Sequence, residues 1–334
     1  RCWTVRGGRT PPTARPGPGS EGAPPRYTVQ DWRAQLRLLS RSDWKEPLFA
    51  RLRPWIDRWE RRRLAPETLA RLGPDLVLGE RGFPQVARRR WACGGRSLRD
   101  ATVLVQGTGN GWDVAGWAGL RPRRIVGVDL FDFGASWGDV ARHCRDRHGV
   151  EVSFHASPLE SMSFLETGSM HLAVSDAVFE HVKDMPSVLR EAARVLRDGG
   201  SLYASYGPMW YCAGGDHFAR GGLRNAYNHL LLDPGAYRRY LEANALPVED
   251  VQSGRRYAEL DLFSRLRTDG YLEAFRAAGF QLDGLILELS TSALQFRRRF
   301  PAEWMDLRGR CAGCHEDDFL IKTNFVRLRK SGAS

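Results

Sequence analysis

No run of roughly 18 apolar residues, the length a membrane-crossing helix needs, occurs in this chain. A helical spanning protein is excluded on that ground. Cysteine is scarce: six residues (Cys2, Cys93, Cys144, Cys212, Cys311 and Cys314) in a chain of 334 are too few for a disulfide scaffold, and a reducing cytoplasm is the expected setting. The opening text "RCWTVRGGRTPPTARPGPGSEGAPPR" starts on Arg and lacks the apolar core of a secretory signal. Its Pro, Gly and Arg content makes residues 1–26 an expected disordered leader or fragment edge.

Negative charge is the minority sign, with 39 acidic residues against 50 Lys and Arg and a net charge of +11. Clustered cations attract phosphates, but here the arginines are spread along the chain in short groups, "RWERRR", "ARRRW" and "FRRRF", with no nucleic-acid module beside them. They are read as a solvated surface, and nucleic acid is not the expected partner. A hydrophobic share of 42% supports a sizeable core in one large domain or one domain with an appendage.

From Tyr27 to Leu72, Trp, Leu and Ile recur at helical spacing between prolines. Two or three helices are expected in an N-terminal extension over residues 27–95. Trp32, Trp44, Trp55 and Trp59 are read as its packing face. Beyond Ser97 the period alternates. "ATVLVQ", "RIVGVDL", "VEVSFHAS", "MHLAVSD" and "SLYASYG" read as strands, while "GWDVAGWAGL", "SWGDVARHCRDRHG" and "MPSVLREAARVLRDGG" read as helices between them. That order predicts an α/β, doubly wound, mostly parallel sheet whose ligands sit at the carboxyl ends of the strands.

One glycine is missing where a dinucleotide site would need it. The stretch "VLVQGTGNGWD" follows the first of these strands with Gly107, Gly109 and Gly111, and Trp112 stands where G-x-G-x-x-G has its last glycine. A bulky indole there argues against a nicotinamide or flavin cofactor. Asp129, ending "RIVGVDL", is placed to accept hydrogen bonds from two ribose hydroxyls.

Three segments in order, "VLVQGTGNGWD", "RIVGVDL" and "MHLAVSDAVFEHVKDMPSVLREAARVLRDGGSLYASY", resemble the class I S-adenosylmethionine-dependent methyltransferases of the small-molecule branch. The resemblance covers Thr102 to Trp210 strongly and Tyr211 to Lys330 more loosely. It implies a Rossmann-like, seven-stranded sheet over residues 96–334, a helical cap at about 233–279 and S-adenosylmethionine as cofactor. Gly107, Gly109 and Gly111 would line its methionine and ribose, Asp129 would hold the ribose hydroxyls, Leu130 would lie against the adenine, and Ser157 and Ser175 would complete the site. The family commonly has Asp where Gln106 stands, and an acidic residue near Ser157.

The implied activity is methyl transfer to a small-molecule acceptor, such as a hydroxyl of a sugar or secondary metabolite. Related bacterial enzymes carry similar text to "GPMWYCAGGDH", so Trp210, Tyr211, His217 and His229 are candidates for the acceptor pocket. His217 is the candidate base because imidazole titrates near neutrality, with Tyr211 orienting the acceptor and His181 and Asp176 as further candidates. "CAGCH" at 311–315 spells a haem attachment, but two Cys and one His are an incomplete metal site, and no metal is expected. A catalytically silent binding module of the same fold would account for Gln106; a nucleic-acid methyltransferase would account for the positive charge, but this sequence has "SDAVFEH" where many base-amine methylating enzymes carry an "NPPY" type of motif.

Overall fold

The aliphatic runs form the centre of a sheet whose faces are set by strict alternation. In a computed structural model describing residues 31–79, 82–217, 222–244 and 262–332, β2 (Thr102–Gln106) is buried throughout. Val103 and Val105 pack with Trp117 and Tyr203 on one side, and Leu104 joins the larger cluster on the other. β3 (Arg124–Asp129), β4 (Glu151–Ala156), β5 (Met170–Asp176) and β6 (Leu196–Tyr206) extend the sheet in parallel. β8 (Ile321–Lys330) runs antiparallel between β6 and β7 (Phe280–Leu289).

Local signals set the connecting helices. α5 (Trp112–Ala118) starts from Gly111 at φ 90°, and α6 (Gly134–His148) stops at Gly149 at φ 68°. α7 (Met185–Val195) is capped by the Asp184 carboxylate, which accepts from the Ser187 amide at 3.1 Å, and it buries Met185, Val188, Leu189, Ala192 and Val195. Further on lie α8 (Asn228–Leu231), α9 (Pro234–Ala243), α10 (Thr268–Ala277), α11 (Thr291–Arg299) and α12 (Pro301–Arg310).

The sheet has eight strands, in the order β1-β7-β8-β6-β5-β2-β3-β4, where seven were expected. The added strand, β1 (Leu76–Gly79), comes from the N-terminal extension and pairs in parallel with β7. The extension also supplies α1 (Trp32–Leu39), α2 (Glu46–Glu60), α3 (Pro66–Leu72) and α4 (Gln85–Cys93). The expected leader, residues 1–26, lies outside the described residues, as does the part of the cap region from 245 to 261. Of the four tryptophans read as packing, only Trp32 is buried; Trp44, Trp55 and Trp59 are exposed.

The arginines of "ARRRW" are a second correction. Arg90 is exposed, but Arg88 and Arg89 enter the core from α4. Arg89 lies 3.2 Å from Asp113, over Gly116, where a Cβ would approach Nη2 to 1.9 Å. Arg88 lies 3.7 Å from Asp176, which also accepts from Tyr203 Oη at 3.1 Å and from Ser205 Oγ. Burial, with Asp176 nearby, pushes the Asp113 carboxyl up from its ordinary value. Removing one partner of such a pair strands a charge in the interior. Arg89→Ala is therefore expected to lower unfolding stability by about 3 kcal/mol, and Arg89→Ala with Asp113→Ala by less than the sum of the two. Denaturant unfolding of the single and double variants checks this, and additive losses would refute the coupling.

Candidate functional site

The loop after β2 is wound tightly around the end of β3. The amides of Gly107 and Thr108 both donate to the Val128 carbonyl, at 2.7 and 3.2 Å. The Gly109 amide donates to Asp129 Oδ2 at 2.7 Å, and the Phe131 amide donates to Oδ1 at 3.1 Å. Trp137 Nε1 donates to the Gly109 carbonyl at 2.8 Å, clamping the loop from α6. Burial pushes the Asp129 carboxyl up, while amide hydrogen bonds led by Gly109 pull it down.

The three glycines, with φ 73°, 49° and 90°, have different neighbours. A Cβ on Gly107 would lie 2.2 Å from Val178 Cγ2, and one on Gly111 would lie 3.0 Å from Val140 Cγ2. Gly109 opens onto free space. Val178 therefore leaves no room for a side chain at Gly107, Val140 crowds one at Gly111, and only Gly109 is open for a ligand to touch backbone.

The other expected cofactor residues fall on the same rim. The Ser157 amide donates to the Asp129 carbonyl at 2.8 Å, and Ser157 Oγ donates to the Ser161 carbonyl at 2.9 Å. Leu130 is exposed beside them. Ser175 pairs in register with Gln106 across the β2–β5 junction. Both are buried, and their side-chain polar atoms make no hydrogen bond among the described residues. This junction is where the strand order reverses, the crevice in which doubly wound sheets bind ligands.

Past β5, the turn through Val178 carries Phe179, Glu180 and His181 towards the loop that follows β6. Successive turns in that loop, Cys212 amide to Met209 carbonyl at 2.9 Å, Gly215 to Cys212 at 2.9 Å and His217 to Gly214 at 3.0 Å, bring His217 back to 4.7 Å from the His181 ring. His217 adopts φ 61°, a conformation that side chains other than glycine rarely take and that concentrates at functional sites. His181 Nδ1 donates to the Leu262 carbonyl at 2.8 Å, which fixes its proton there and puts the lone pair on Nε2. Phe263 packs on both histidines and on Trp210. Glu180, His181 and His217 each offer a ligand atom within 4.8 Å of the others, an arrangement able to hold a divalent cation.

Burial sets the protonation of this group. It pushes the His181 imidazole down to about 4 and the Glu180 carboxyl up to about 8, although the Gly207 amide donates to Glu180 Oε1 at 3.1 Å. His217 is lowered by burial and by His181 beside it. Both imidazoles are thus neutral near pH 7. His229 has another role: its Nε2 donates to the Trp210 carbonyl at 2.8 Å, and its ring is fully buried, so it pins the loop. Tyr211 lines a crevice with Met209, Arg267, Thr268, Asp318 and Ile321. Asp176, a further candidate, is bound up with Arg88, Tyr203 and Ser205.

The Val178 contact with Gly107 links the glycine loop to the histidine turn. Gly107→Ala is expected to cost about 1 kcal/mol from its left-handed backbone, with a further loss from the collision with Val178. Adding Val178→Ala should recover the second part only. Thermal unfolding of the three variants reads this out, and no recovery in the double variant would contradict the contact.

Residues 104–204 match the family described as a methyltransferase domain. An arsenite methyltransferase of Aquipseudomonas alcaligenes is 36% identical over 134 residues, which make up 36% of this chain and 38% of that protein. A ubiquinone biosynthesis O-methyltransferase of Xanthomonas oryzae pv. oryzae is 28% identical over 167 residues, 48% of this chain and 68% of that one. Among solved structures, an S-adenosylmethionine dependent methyltransferase from Mesorhizobium loti matches 74% of this chain and 99% of its own, at 17% identity and a TM-score of 0.43. The stretch that holds the glycine loop, Asp129 and the β5 turn is thus the part of this chain that matches a methyltransferase domain.

Proposed function

We propose that this protein binds S-adenosylmethionine at the β2 loop and transfers its methyl group to a small-molecule acceptor seated against the His181 and His217 pair. The observation that carries this is the Asp129 carboxylate, held on the crevice rim with one backbone amide on each oxygen. A carboxylate oxygen accepts more than one hydrogen bond, so capacity remains for the two ribose hydroxyls. The open space at Gly109 and the unsatisfied polar atoms of Gln106 and Ser175 fit a polar ligand at the same place. Ser157 and Leu130 would flank the adenine.

When bound, the cofactor supplies an electrophilic methyl group on a sulfonium, so the chain's main task is alignment of the acceptor. Trp210 and Phe263 form an aromatic wall beside the histidines. His217, neutral at working pH, receives the proton of a hydroxyl acceptor late in the transfer. By then the forming O–C bond has made that oxygen strongly acidic, so an imidazole of depressed basicity suffices. His181, held by Leu262, positions His217. Tyr211, with its hydroxyl pushed up by burial, lines a crevice that includes neither histidine and is given no proton to take. A hydroxyl of a sugar or secondary metabolite is the acceptor class favoured by this arrangement.

Isothermal titration with S-adenosylmethionine tests the cofactor site. Micromolar binding that Asp129→Ala abolishes is expected, and binding unchanged in Asp129→Ala would refute the assignment. His217→Ala should cut turnover on a hydroxylated acceptor at least 100-fold while cofactor affinity stays the same. Undiminished turnover would remove His217 from the reaction, and binding without any transfer would favour a silent module, consistent with Gln106 in place of the usual Asp.

A further inference from the structure

α2 and the turn before it place Trp44, Leu48, Leu52, Trp55 and Trp59 at successive intervals of four, four, three and four residues, so they share one face of the helix. That face is turned outward, with exposures of 74, 51, 41, 72 and 48%. Phe49 and Ile56 on the inner side pack into the cluster under β1 and β7. A single exposed leucine is ordinary, whereas five large apolar residues in one stripe are a binding surface.

The charges on the same segment are sorted by side. Arg41, Lys45, Arg51, Arg58 and Arg62 are all exposed. Every acidic residue between 41 and 62 is engaged elsewhere. Asp43 accepts from the Val86 amide at 3.0 Å, Glu46 pairs with Arg90 at 3.0 Å, Asp57 pairs with Arg61 at 2.8 Å, and Glu60 is buried 3.2 Å from Arg63. The outer face is therefore tryptophan and leucine bordered by cations, with its anions turned inward. No helix among the described residues is long and apolar enough to cross a membrane, and this one has 15 residues. A helix of this kind lies in the plane of an interface, its indoles at headgroup level and its arginines on anionic lipid.

We infer that α2 docks this protein onto an anionic membrane surface. A second copy of the chain is a poorer occupant, because two such faces would bring five cations against five without an available acid. The inference is independent of the methyl-transfer chemistry and revises the sequence expectation that these tryptophans pack internally.

Vesicle co-sedimentation of the full chain tests it, using phosphatidylcholine alone and phosphatidylcholine with about one-third phosphatidylglycerol. The expected result is partition onto the anionic vesicles only, falling at least tenfold in 0.5 M salt, with a blue shift of tryptophan fluorescence. Trp44→Ala/Trp55→Ala/Trp59→Ala, and separately Arg51→Glu/Arg58→Glu, should each weaken partition at least tenfold. Because these side chains are exposed, circular dichroism and S-adenosylmethionine affinity should be unchanged. If the first variant fails to fold, the second, which keeps every apolar contact, decides. No partition, partition undiminished in both variants, or a concentration-dependent dimer that buries the stripe would overturn the proposal.

Discussion

The hydrogen bond from the Gly109 amide to the Asp129 carboxylate, 2.7 Å long, ties the loop after β2 to the end of β3. It holds the ends of β2 and β3 in one geometry, beside the β2–β5 junction where the sheet order reverses. Gly107 can then lie under Val178, and Val178 fixes the turn that carries Glu180 and His181. The segment before α10 closes over this turn: the Ser264 amide donates to the Glu180 carbonyl at 2.9 Å, and the Leu262 carbonyl accepts the hydrogen bond from His181 Nδ1. One valine thus stands between the glycine loop and the turn that carries His181.

Beneath the loop, α4 inserts Arg88 and Arg89 against Asp176 and Asp113, one at the end of β5 and the other in the first turn of α5. Buried pairs of this sort add little net stability but strongly penalise any arrangement that separates them. They fix the N-terminal extension to the sheet, and β1 beside β7 does the same by backbone pairing. The extension is in this sense part of the sheet's scaffold.

Much of this was legible in the sequence because strands and helices announce themselves by period. β2, β3, β5 and β6 are apolar runs, and α7 has its cap and its spacing. β1 was not legible, since four residues, "LVLG", carry no alternation and gain strand identity only from β7. The glycine positions could be read but not their reasons, as Val178 and Val140 come close only after folding. Composition likewise cannot tell that Arg88 and Arg89 turn inward while Arg90 does not. His181 and His217 were each visible as candidates, but their 4.7 Å approach depends on the turns between Met209 and His217. Helical spacing showed that α2 has an apolar stripe; which way it faces is a property of the tertiary packing.

Amide hydrogen exchange of the full chain with and without S-adenosylmethionine tests the cofactor assignment most directly, because it reports where a ligand acts without any acceptor. Slower exchange confined to the loop from Gln106 to Asp113, the Asp129 to Phe131 turn and the Val178 to His181 turn is the expected result. Slowing elsewhere with these segments unchanged, or no change at saturating ligand, would contradict it.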